Sequence, residues 1–190
     1  MNTSEIAAEM SASILHAIRA HAEYPRRPKD AIRFWDKSTP YAVHPIWCAM
    51  TLLTETTLSE DIRSNGYQAL LWHDILEDTK LPLPQDTRKE VETLVREMTF
   101  EDFDEEREKI WERSDTAKLL KLYDKVSNLL DGSWMSNEKW NTMVEHARKL
   151  AVFVSGKYGD LNILKIAASI CKPRDAISSG LDADRTGVTL

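Results

Sequence analysis

One stretch constrains this chain more than any other: Leu70-Leu71-Trp72-His73-Asp74-Ile75-Leu76-Glu77-Asp78-Thr79. It sets one imidazole and three carboxylates in an otherwise apolar run. On a helix, His73 and Glu77 lie one turn apart, as do Asp74 and Asp78, so all four share one side. Leu70, Leu71, Ile75 and Leu76 take much of the remaining circumference. The spacing predicts a buried helix with a charged notch. Ionised carboxylates are seldom buried without a partner. A metal ion, a proton or a Lys/Arg from elsewhere must then join them. The competing reading is the solvated face of a surface helix, and the rest of the chain must decide between the two.

The chain has 190 residues, 42% of them hydrophobic and 29% charged, enough for one domain with a proper core. Glycine is scarce, at 6 residues, and alternating β-branched runs are nearly absent. Both favour an all-α fold. The formal net charge of −6 argues against nucleic acid as a partner, because phosphate contact needs a basic face. No apolar run approaches the roughly 20 residues of a membrane span. Met1 to Met10 carries Glu5 and Glu9 and has no basic start, unlike a secretory signal. Cys48 and Cys171 stand alone, with neither a zinc nor a disulfide pattern. A cytoplasmic protein is the expectation, and self-association stays open.

Residues 3–23 read as a first helix carrying His16 and His21, with His21 able to face a site. Pro25, Pro28 and Pro40 punctuate a basic loop with Arg26, Arg27, Lys29, Arg33 and Lys37. This loop is either a solvated connection or the mouth for a polyanion, with Arg33 suited to phosphate or base contact. A helix starts near His44, with Pro45 in its first turn, which places His44 well for a ligand. The next helix is expected from Ser59 or Glu60 to Glu77, with Gly66 a potential interruption, and Pro82 and Pro84 beyond its end. Residues 87–98 form a short amphipathic helix. The run from Thr99 to Glu108 is strongly acidic and reads as solvated. Ala117 to Leu130 reads as an amphipathic helix on which Lys121, Asp124, Lys125 and Asn128 present together. Two more helices span Trp134 to Gly156 and about 160–171. Residues 1–172 form the expected domain and 173–190 a polar tail.

The order His44, His73-Asp74, Asp124, each on a separate predicted helix, resembles the signature of HD-domain phosphohydrolases. The resemblance narrows with Thr39-Pro40-Tyr41, His44-Pro45, Glu77-Asp78-Thr79, and Lys121-Leu122-Tyr123-Asp124-Lys125 with Asn128-Leu129. These are similar to the hydrolase domain of RelA/SpoT enzymes, above all its stand-alone metazoan SpoT-homologue form, across roughly residues 10–170. The resemblance implies an all-α HD-domain helical bundle. It implies His44, His73, Asp74 and Asp124 as ligands of one divalent ion, Mn²⁺ before Fe²⁺ or Zn²⁺; a mixed N/O donor set suits all three. It implies Glu77 and Asp78 as the pair that orients water and moves its proton. It assigns Arg33 to base stacking, Tyr41 to the nucleoside wall, and Lys121, Lys125 and Asn128 to phosphate or ribose.

The implied activity is 3′-pyrophosphohydrolysis of guanosine 3′,5′-bis(diphosphate), a small-molecule nucleotide. Two alternatives stand beside it: another HD-type (deoxy)nucleoside phosphate or triphosphate hydrolase, and a non-catalytic nucleotide-sensing module. Three departures from the family bear on substrate. Arg33-Phe34 replaces the usual Arg-Lys, the loop from His21 to Arg33 is longer, and Met98-Thr99-Phe100-Glu101-Asp102 lacks a lysine found in relatives. If the acidic run faces the pocket, it repels a second diphosphate and lowers alarmone turnover.

Overall fold

The computed structural model describes residues 3–171, so the expected tail at 173–190 lies outside the described residues. The chain forms α1 (Thr3–Glu23), α2 (Val43–Leu53), α3 (Glu60–Trp72), α4 (Ile75–Asp78), α5 (Lys89–Met98), α6 (Phe103–Lys109), α7 (Asp115–Leu130), α8 (Asn137–Tyr158) and α9 (Asn162–Ile170). A 3-10 turn (Pro28–Ala31) lies in the basic loop. The fold is all-α. Among the described residues the only extended pairings are two isolated bridges, Pro25 with Thr79 and Ile32 with Pro40. The side chains of Ser59, Asp102, Ser114 and Ser136 cap α3, α6, α7 and α8 by accepting from early backbone N–H groups.

The bundle is built around α7, which packs against α2, α3, α5, α8 and α9. Leu119, Leu120, Leu122, Tyr123 and Val126 of α7 are fully buried. So are Lys121 and Asp124, nearly completely, with Lys125 beside them. The helix is thus buried on its polar side too, which an ordinary amphipathic pattern does not anticipate. Gly66 does not interrupt α3. A Cβ there would lie 2.8 Å from Leu52 Cδ2 and 3.0 Å from Leu120 Cδ2. The missing side chain lets α3 approach α2 and α7 closely. Buried Glu55, just past α2, accepts from the Tyr123 hydroxyl and from the backbone N–H groups of Asn162 and Ile163, each at 2.9 Å. This carboxylate caps the start of α9 and ties it to α7.

Three expectations on local structure need correction. The stretch from Glu60 to Glu77 is not one helix, since α3 ends at Trp72 and α4 begins at Ile75. The His73 Nδ1–H donates to the Leu70 carbonyl at 2.8 Å, the acceptor a continuing helix would offer to the Asp74 N–H. The acidic run is not wholly solvated. It contains α6, and Glu106 is only 4% exposed while Glu101, Asp102 and Asp104 face water. Helix α8 passes Gly156 and ends at Gly159, whose φ of 79° suits only glycine comfortably.

Candidate metal centre

Three elements bring the site together. His44 stands in the first turn of α2, His73 and Asp74 in the corner between α3 and α4, and Asp124 midway along α7. Ligand-capable atoms of His44, His73 and Asp124 all lie within 4.8 Å of one another, and all three residues are buried. The Nε2 atoms of the two imidazoles are 3.3 Å apart. Asp124 Oδ1 is 3.3 Å from His44 Nε2 and 3.8 Å from His73 Nε2. Asp74 lies beside this group, with Oδ1 3.1 Å from His73 Nε2 and Oδ2 3.5 Å from His44 Nε2.

The outer partners orient these rings. His73 Nδ1 is engaged by the Leu70 carbonyl, so in the neutral ring its Nε2 carries the inward lone pair. His44 Nδ1 is held by Ser127 Oγ at 2.8 Å, which turns its Nε2 inward as well. Outer hydrogen bonds of this kind commonly orient imidazole ligands. Electrostatics asks for a cation in the same place. Burial drives the His44 pKa down to about 4 despite the neighbouring carboxylates. Burial also opposes charge on His73, but Asp74 and Asp124 outweigh it and lift its pKa to about 9. The two inward nitrogens and the Asp124 carboxylate could hold one metal ion, with Asp74 beside them, and a mixed N/O donor set suits Mn²⁺, Fe²⁺ or Zn²⁺.

Glu77 and Asp78 sit on α4 at the edge of this group. Glu77 Oε1 accepts from the Phe100 N–H at 2.9 Å. Asp78 Oδ1 pairs with Arg27 Nη2 at 3.3 Å. Burial raises both carboxyl pKa values, and for Asp78 the nearby charges of Asp74, Asp30 and Glu77 carry it to about 7. Tyr41 donates to Asp74 Oδ2 at 2.8 Å, and Asn128 to Asp124 Oδ1 at 2.6 Å.

The expected phosphate-binding cations are placed differently. Lys121 Nζ lies 3.0 Å and Lys125 Nζ 3.2 Å from Asp124 Oδ2, and Glu106 Oε2 lies 3.1 Å and 2.7 Å from the same two amines. Each ammonium, with three N–H donors, thus already faces two buried carboxylates. The Arg33 fork is likewise engaged, donating to Asp131 at 2.6 and 2.9 Å and to Asn128 Oδ1 at 3.0 Å. Its guanidinium lies 5.2 Å from the centre of the Tyr41 ring. Arg26 caps α4, with Nε donating to the Thr79 carbonyl and Nη2 to that of Leu76. Much of the basic loop therefore serves the fold.

Three supporting residues, Ser127, Asp131 and Glu106, have no role in the sequence reading, whereas His21 is read there as able to face a site. Ser127 orients His44, Asp131 anchors Arg33, and Glu106 neutralises the lysines with His146 Nε2 at 3.2 Å behind it. His21, 1% exposed, lies against the Tyr41 ring with centroids 4.6 Å apart. Ser127 and Asp131 carried a faint signal, being one turn beyond Asp124 and Asn128-side neighbours on α7 and its end. Glu106 carried none within a run of acids.

A protein from Xenopus tropicalis named guanosine-3′,5′-bis(diphosphate) 3′-pyrophosphohydrolase MESH1 is 31% identical over 167 residues, covering 82% of this chain and 90% of its own. This chain belongs to the MESH1 family. The human MESH1 protein of the same name is 30% identical over 145 residues, 71% of this chain and 75% of that one. A solved structure, described as a metazoan orthologue of SpoT that hydrolyses ppGpp, superposes with a TM-score of 0.63 over 86% of this chain and 93% of its own. Its 24% identity makes it evidence for the shared MESH1 fold. No model of a protein family matches the chain. Among the described residues, no helix is long and apolar enough to cross a membrane.

Proposed function

We propose that this chain is a metal-dependent 3′-pyrophosphohydrolase of guanosine 3′,5′-bis(diphosphate), splitting it with water into GDP and pyrophosphate. The observation that carries the reading is two inward imidazole nitrogens between buried carboxylates, with Glu77 and Asp78 at the edge, in a chain of the MESH1 family. His44, His73, Asp74 and Asp124 would hold the ion, and Mn²⁺ is the ion proposed. When bound, such an ion lowers the pKa of water and polarises a phosphoryl oxygen.

The chain's own groups do the rest. Asp78, with a pKa lifted to about 7, is suited to accept a proton near neutrality, where general-base efficiency is greatest. The Phe100 N–H fixes Glu77, and Arg27 steadies Asp78. Tyr41 and Asn128 hold the two ligand carboxylates in place and form the wall against which the nucleoside would lie. A cytoplasmic setting is proposed with this function, in keeping with the free, buried thiols of Cys48 and Cys171.

One observation favours a second reading, an HD-type nucleoside triphosphate hydrolase. Phe34 stacks against Trp134 with ring centroids 4.7 Å apart, beside Arg33, which suits a base pocket of broader tolerance. The test is product analysis with Mn²⁺ on ppGpp, nucleoside triphosphates and dinucleotides. Pyrophosphate and GDP from ppGpp alone are expected. Comparable turnover of a plain triphosphate would favour the second reading. Glu77→Gln with Asp78→Asn should keep the metal and lose about 10²–10⁴-fold in turnover. Binding without turnover by the unaltered chain would point to a sensor.

A further inference from the structure

Two cavities flank Arg33 beside the metal centre. One, of about 310 Å³, is largely apolar and bounded by Trp35, Val43, Trp47 and Leu130 with His44 at its end. The other, of about 210 Å³, runs from Tyr41 and Asn128 out to Lys29, Trp134 and Lys139. Tyr41 and Asn128 hydrogen-bond the metal-site carboxylates Asp74 and Asp124, so the inner end of this second cavity adjoins the reacting centre. Its outer end does not.

The charges in the second cavity are unevenly matched. Its two carboxylates, Asp30 and Asp78, are both engaged by Arg27. Lys29 and Lys139 have no carboxylate within ion-pair distance among the described residues. Lys139 instead lies 4.6 Å over the centre of the Trp134 ring, which is itself stacked on Phe34. Partial burial, followed by the like charges of Lys125 and Lys29, holds the Lys139 pKa below that of an ordinary lysine. Two ammonium groups thus stand at the outer end of this cavity with no ion-pair partner among the described residues. By contrast Lys121 and Lys125, on the metal side, are held between Glu106 and Asp124.

We propose that Lys29 and Lys139 form the subsite for the non-scissile 5′-phosphates of the nucleotide. The inference rests on the nucleotide-hydrolase reading above. It assigns the phosphate contact to a rim built from the lengthened loop and the first turn of α8, away from the metal. An anion bridging the two ammonium groups relieves their mutual repulsion and makes charge-assisted hydrogen bonds. The Phe34–Trp134 pair stands beside it as an apolar edge for the nucleoside.

The test measures equilibrium binding of GDP and of guanosine to the Mn²⁺-loaded full chain, by calorimetry, beside ppGpp kinetics. Both lysines are exposed, so Lys29→Ala with Lys139→Ala should fold normally. The double variant is expected to bind GDP about tenfold more weakly, the scale of one charge-assisted hydrogen bond, and guanosine within about twofold of the unaltered chain. Its KM for ppGpp should rise by a similar factor while kcat falls less, and Lys139→Glu should be worse than Lys139→Ala. For guanosine 3′-diphosphate, which lacks the 5′-phosphates, the loss should shrink to about twofold or less. Unchanged GDP affinity, equal losses for GDP and guanosine, or no GDP binding by the unaltered chain would each overturn the subsite. Turnover of ppGpp with lysine-independent binding leaves the reaction standing and removes the subsite. Lysine-dependent GDP binding without ppGpp turnover does the reverse.

Discussion

Ser127 shows how much of this centre depends on residues that touch no substrate. Its hydroxyl is the polar partner of His44 Nδ1, 2.8 Å away in a buried setting. Without it the ring loses its orienting bond and its preferred tautomer. Ser127→Ala should fold normally yet bind Mn²⁺ about tenfold or more weakly, since outer-partner losses commonly cost 10–100-fold in affinity. Metal titration by calorimetry checks this, and unaltered affinity would mean that packing alone orients the ring. The lysines teach the converse. Lys121 and Lys125 have the right spacing on α7 to present together, and they do, but toward Glu106 and Asp124. Helical spacing tells which residues share a face. It does not tell which carboxylate from a distant element meets them there.

Elements carry a different kind of information. Gly66 looks like a weak point in α3 when judged by propensity, for alanine is favoured over glycine by about 1 kcal/mol in a helix. Packing opposes that gain, because the added methyl would meet Leu52 and Leu120, both fully buried. Overpacking of this kind costs about 1–3 kcal/mol. Gly66→Ala should therefore be net destabilising by about 1 kcal/mol in urea denaturation, and a stabilised variant would show that the two leucines can yield. Helix α6 supplies a pH signature. Burial opposes the charge on Glu106, but Lys121 and Lys125 outweigh it and hold its pKa at about 2, below the ordinary 4.5. A depressed carboxyl stabilises the fold above its unfolded value and loses that contribution as pH falls through its folded value. Glu106→Gln should be less stable at neutral pH and should show a shallower loss of stability between about pH 4.5 and pH 2. Parallel slopes for both chains over that interval would remove Glu106 from the acid limb.

At the scale of the whole molecule the metal centre is a junction of elements. The four residues proposed to hold an ion come from α2, the α3–α4 corner and α7, so an ion held there would tie together helices far apart in sequence. Binding to the folded chain alone adds about 2.7 kcal/mol at a free concentration of 100 times Kd. For a domain of this length that is a rise of about 5–10 °C in Tm. Differential scanning calorimetry should show this rise with Mn²⁺, its reversal by a chelator, and little response from Asp74→Asn. A metal-independent Tm would mean that the cluster is held by its own hydrogen bonds alone.

Much of this was written locally. The apolar spacing and the scarcity of glycine set an all-α chain. The His44, His73-Asp74 and Asp124 pattern carried the resemblance that implied a ligand set, and the fold brings these residues together. Those signals are legible because helix formation and ligand chemistry depend on residue type and short-range spacing. What tertiary structure alone decided were the pairings across the chain. These include Glu106 with Lys121 and Lys125, Asp131 with Arg33, Glu55 with the start of α9, and the break after Trp72 that turns Asp74 toward the imidazoles. The reason is physical. A charge meets its partner according to where helices cross, and crossings are set by side-chain volumes such as the missing one at Gly66. No periodicity within a single element records them.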